Sequence, residues 1–76
     1  MTQHEKLALE TSAGLMESIA ALLTSDAGKT QLLNLHLPGI SQSDKDELYW
    51  QSESQLKNAR QLKENAGQLR AIVERG

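Results

Sequence analysis

Between Ala8 and Leu23 the apolar residues fall into two adjacent stripes, each stepping by four, three, four, three. One runs Ala8, Ser12, Leu15, Ile19, Leu22, with the serine completing it; the other runs Leu9, Ala13, Met16, Ala20, Leu23. That step is the period of an α-helix, and two neighbouring stripes make an apolar face wider than a two-stranded seam needs. A helix of this kind wants more than one neighbour. Strands are a poor alternative. The chain has no Phe, its only aromatics are Tyr49 and Trp50, and its apolar residues are otherwise Leu, Ala, Ile, Val and Met, a mixture that helices accept better than sheets. The expected fold class is all-α.

The first helix is expected over about residues 3–24, with Gly14 costing about 1 kcal/mol relative to alanine. Thr24, Ser25 and Asp26 are three potential N-caps and Gly28 follows, so the sequence predicts a break there and a short second helix over about 26–36. Leu37-Pro38-Gly39 should end that helix, because proline disfavours helical geometry in the residue before it and Gly39 can take positive φ. After a loop over 37–42, Ser41 and Ser43 precede Asp44, Asp46 and Glu47. Serine caps and first-turn carboxylates both favour a helix start near 43. This third helix can run to about residue 74, roughly 48 Å at 1.5 Å per residue. Its heptads place Ser52, Ala59, Ala66 and Val73 at one core position and Leu48, Gln55, Leu62 and Leu69 at the other. Small residues facing leucines permit close, antiparallel approach, with Ser52 and Gln55 weakening the first half of the seam. The chain thus reads as a single helical domain over 1–76, a helical hairpin or three-helix unit with a long C-terminal helix.

A chain of 76 residues is near the size at which one core barely outweighs the entropy of ordering the backbone. With no cysteine, disulfides and thiolate metal sites are excluded. Oligomerisation into a bundle or coiled-coil-like dimer, or binding to a partner, is the expected source of extra stability. The net charge of −2 and pI of about 5.6 supply no global attraction to nucleic acid or an anionic bilayer. Glu10 and Glu17 interrupt the apolar N-terminal stretch and no basic segment precedes it, so neither a signal peptide nor a membrane span is expected, and the expected location is cytoplasmic.

Residue types that carry chemistry are sparse. Asp26-Ala27-Gly28-Lys29-Thr30 ends like a phosphate-binding loop, but the first glycine of that motif would fall on Leu23 and no strand precedes it. His4 and His36 have no His or Cys at i+3 or i+4, so no metal site is expected. Asp44, Asp46 and Glu47 suit the helix dipole, and no nucleophile, base and orienting group can be assembled. Neither an enzyme nor a cofactor is expected. Lys57, Arg60, Lys63, Arg70 and Arg75 form a basic run against Glu64 and Glu74, which reads as a solvated face lacking the aromatics that stack on bases. Tyr49 and Trp50 are adjacent, so they point about 100° apart on a helix and cannot share one seam. At least one is available as a partner anchor.

Trp50 followed by Ala59-Arg60-Gln61-Leu62-Lys63-Glu64-Asn65-Ala66-Gly67-Gln68-Leu69 resembles the C-terminal helix of FlgN-type flagellar export chaperones over about twenty residues. In that family a tryptophan precedes a leucine and an asparagine-glycine pair, and the helix holds unfolded client subunits; here Ala66 stands in place of the asparagine of that pair. Met1-Thr2, Glu5-Lys6, Ala8-Leu9 and Asp46-Glu47-Leu48-Tyr49 resemble the Rop family of helical hairpin dimers. Gln3, Glu10, Gly14 and Ser18 replace the residues with which that family grips RNA, so the resemblance implies the dimeric hairpin. The expected function is that of a small helical protein-interaction module, adaptor or export-chaperone-like, binding a partner through an apolar helix face. The partner-binding residues would be Tyr49, Trp50, Leu56, Leu62, Leu69, Ile72 and Val73. The alternatives are a Rop-like RNA-binding regulator and a small, phage-type inhibitor of a host protein.

Overall fold

In the computed structural model, which describes residues 1–36 and 39–76, two helices of equal length run antiparallel as a hairpin: α1 over Gln3–His36 and α2 over Gln42–Arg75. The molecule is an elongated rod of 58 × 13 × 12 Å. Thr2 opens α1, its hydroxyl accepting from the Glu5 amide at 3.1 Å. Ser41 caps α2 in the same way, accepting from the Asp44 amide at 3.2 Å, and Gly39 takes φ +76° just before it. Leu37 and Pro38, on which the expected helix stop rests, lie outside the described residues. At the open end the Gly76 amide donates to the Ile72 carbonyl at 3.1 Å, and Met1 lies so close that a Cβ on Gly76 would sit 2.9 Å from Met1 Cε.

The expected break at 24–28, and with it a separate helix over 26–36, does not occur. Within α1 the Thr24 and Thr30 hydroxyls donate to carbonyls one turn back, Ala20 at 2.8 Å and Asp26 at 2.9 Å. Such bonds satisfy side chains that would otherwise favour a cap. Gly28 is exposed, and its cost is that of one glycine in a helix. What carries the helix through is the seam, which continues past Leu23 with the same spacing through Ala27, Thr30 and Asn34. Leu32, Leu33 and Leu35, in the stretch expected to form the separate helix, are all exposed.

The core is a column of small residues. Ala13, Ala20 and Ala27 from α1 and Ala59, Ala66 and Val73 from α2 are the buried apolar side chains among the described residues, joined by Thr30 and Ser52. Half-buried Leu9, Met16 and Leu23 fill the alternate positions of α1, and Leu48, Gln55, Leu62 and Leu69 those of α2. The small column of each helix is the buried one and the larger side chains beside it are half-buried, and small residues along a seam let the backbones approach closely. The α2 heptad thus packs as its sequence spacing indicates. On α1 one of the two stripes, that of Leu9, Ala13, Met16, Ala20 and Leu23, turns inward; the other stays outside.

Candidate partner-binding surface

The seam divides the hairpin into two flanks. On one, Arg70 reaches across to Glu17, pairing through Nη2 with Oε1 and donating from Nε to Oε2 at 3.4 Å. The hydrogen bond and charge of Arg70 hold the Glu17 carboxyl below its ordinary value, and Glu17 in turn raises the guanidinium. Glu10 and Glu74 join Arg70 and Val73 around a small groove on the same flank. The basic run of α2 is therefore broken up: Arg70 is neutralised by α1, and Lys57, Arg60 and Lys63 lie further toward the loop.

Toward the loop this flank opens into a groove of about 420 Å³ walled by Thr24, Glu53, Leu56, Ala59, Arg60 and Lys63. Beside it a second groove of about 320 Å³ runs over the back of α2, lined by Trp50, Glu53, Ser54, Lys57 and Arg60. Glu53 and Arg60 belong to both walls. Tyr49 and Trp50 stand at the head of this surface with ring centroids 5.4 Å apart and planes at 73°, an edge-on pair. Trp50 is 69 % exposed and Tyr49 50 %. Neither ring closes the bundle end.

The seven residues expected to bind a partner are split by the structure. Tyr49, Trp50 and Leu56 come together on the loop half of α2. Val73 is buried in the hairpin seam, and Leu62 and Leu69 are half-buried at its alternate core positions. Using Val73 as an anchor would require the helices to separate, whereas Leu62 and Leu69 keep part of their surface exposed beside the seam. Ile72 lies apart, exposed on the opposite flank. The exposed apolar surface that the site expectation left out is on α1: Leu15, Ile19 and Leu22 are 61, 47 and 66 % exposed. The signal for it was the second stripe, one more than a hairpin can bury.

The phosphate-loop-like run lies within α1, where the amides are engaged in helix bonds and Ala27 and Thr30 face α2. Among the described residues no group of three His, Cys, Asp or Glu side chains is placed to hold a metal ion. By length and composition alone, α1 meets the minimum for a candidate membrane span over an eighteen-residue window. The chain matches no family model, no curated protein and no solved structure.

Proposed function

We propose that this hairpin is a protein-interaction module of the adaptor or export-chaperone kind, binding an amphipathic segment of another polypeptide along the loop half of α2. The observation that carries the reading is the exposed Tyr49–Trp50 pair at the head of two adjoining grooves. Neither ring contributes to the core, and aromatic side chains held in water are the commonest anchors of protein interfaces. Leu56 supplies a second apolar point two turns along, a spacing that a helical partner can match with its own i and i+7 residues. Lys57, Arg60 and Lys63 border the grooves, so the preferred segment carries acidic residues beside its apolar anchors.

A photo-crosslinking side chain at position 50, introduced in the cells that make the protein, tests this directly. It should yield one discrete protein adduct, absent when the same group is placed at Glu64. Trp50→Ala combined with Leu56→Glu should weaken binding of that polypeptide at least tenfold with the helical circular dichroism unchanged. Undiminished binding by the folded double variant would rule the surface out. A nucleic-acid adduct whose yield collapses between low and moderate salt would instead favour the RNA-binding reading.

A further inference from the structure

We propose that the flank opposite Glu17 and Arg70 is a self-association surface, on which a second copy of this chain packs α1 against α1 in antiparallel orientation to make a four-helix bundle. Around α1 the seam residues separate Glu10 and Glu17 on one side from Ser12 and Ile19 on the other; around α2 they separate Lys63 and Arg70 from Asn65 and Ile72. Because Glu17 and Arg70 meet across the seam, the remaining two sides also share a flank. Over 8–22 of α1 that flank consists of Ala8, Ser12, Leu15, Ile19 and Leu22, and over 58–72 of α2 it holds only amide side chains and Ile72. No charged residue occurs within these two stretches; one heptad beyond Ile19 and Leu22 the same columns of α1 carry Asp26 and Lys29, and the opposite flank carries carboxylates and cations along its length. Covering the central stretch removes leucines and isoleucines from water and leaves Asp26 and Lys29 at its margin.

A thin hairpin exposes more surface than a compact chain of its mass. A compact monomer of 8.4 kDa exposes about 4,600 Å² by the usual scaling of surface with mass, and this hairpin exposes 5628 Å². The excess, about 1,000 Å², is spread over the whole of an elongated hairpin, which leaves room for the ~800 Å² that each partner gives to a standard interface. The apolar stripe also matches itself. A two-fold axis near Ile19, the middle of α1, sets Leu15 of one copy against Leu22 of the other and Ile19 against its counterpart, with the amide columns of the two α2 helices meeting alongside. The alternative stacking, α1 over the second copy's α2, would put leucines on amides. Like surfaces meeting about a two-fold axis are the ordinary form of a closed dimer. The surface is separate from the Tyr49–Trp50 grooves, and neither proposal depends on the other.

Sedimentation equilibrium of the 76-residue chain should give twice the 8.4-kDa mass at tens of micromolar, and Ile19→Glu should return it to the single mass. Since the chain has no cysteine, Ile19→Cys supplies a unique thiol at the proposed axis, and Ser25→Cys supplies one on the solvent side of the same helix. Under mild oxidation Ile19→Cys should form the covalent dimer at least tenfold faster than Ser25→Cys, a contrast that holds even if Ile19→Glu fails to fold. A wild-type chain that sediments at the single mass, or equal crosslinking rates for the two thiols, would overturn the proposal. So would a folded Ile19→Glu variant that remains dimeric.

Discussion

Gln55 is the weakest residue of the seam. It occupies a position where Leu48, Leu62 and Leu69 serve elsewhere, and its Oε1 is buried with no hydrogen-bond partner. A buried acceptor left unpaired costs about 1–3 kcal/mol. Gln55→Leu should therefore raise stability by about 1–2 kcal/mol, read as a higher denaturant midpoint at unchanged slope; a lower midpoint would mean that the amide has a role in the closed hairpin. Its polar neighbours in the seam behave differently. The Ser52 hydroxyl donates to the Tyr49 carbonyl at 2.8 Å, and Thr30 donates to Asp26, so each is satisfied within its own helix. The opposite error is overpacking. Ala66 is fully buried in the small column, and Ala66→Leu should destabilise the hairpin by about 1–3 kcal/mol by forcing the helices apart, measurable in the same titration.

At the scale of the elements, the continuity of α1 is the result with the clearest consequence. If residues 24–28 formed a turn, Gly28 would be suited to it and alanine there would be neutral or harmful. Within an exposed stretch of helix, with nothing within 4 Å of a Cβ at that position, Gly28→Ala should instead stabilise by about 1 kcal/mol. Thermal melts of the two chains distinguish these cases. Glu17 and Arg70 tie the helices together through a solvent-exposed pair, so their contribution is modest and depends on pH. The folded carboxyl has a lowered pKa, so stability from the pair is present above the ordinary carboxylate range and is lost as pH falls through the lowered value. A melting difference between wild type and Glu17→Gln at neutral pH should shrink and vanish on acidification; a difference that persisted in strong acid would have another origin.

The whole molecule is thin, and the middle of one flank of α1 is apolar. Five alanines and one valine make up the buried apolar core among the described residues, a small reservoir against the entropy of ordering two long helices. On the dimer reading, unfolding is coupled to dissociation, and the melting temperature should rise with protein concentration. A concentration-independent melt would show that the hairpin is stable alone.

Helical period, heptad phase and end signals were legible in the residues themselves. The seam of α2, the Ser41 cap and the positive φ of Gly39 all follow from local spacing and backbone chemistry, which act within a few residues. Continuity through Thr24–Gly28 was not legible, because cap residues and a glycine describe a helix end equally well when no partner is considered. Only α2, packed along the full length of α1, makes the unbroken helix the better state. The same holds for the surfaces. Two apolar stripes were visible on α1, but which one turned inward depended on the register of the other helix. Sequence alone therefore determined what could be buried, since that depends on period; tertiary packing decided what was buried, since one neighbouring helix covers one stripe and leaves the second to water.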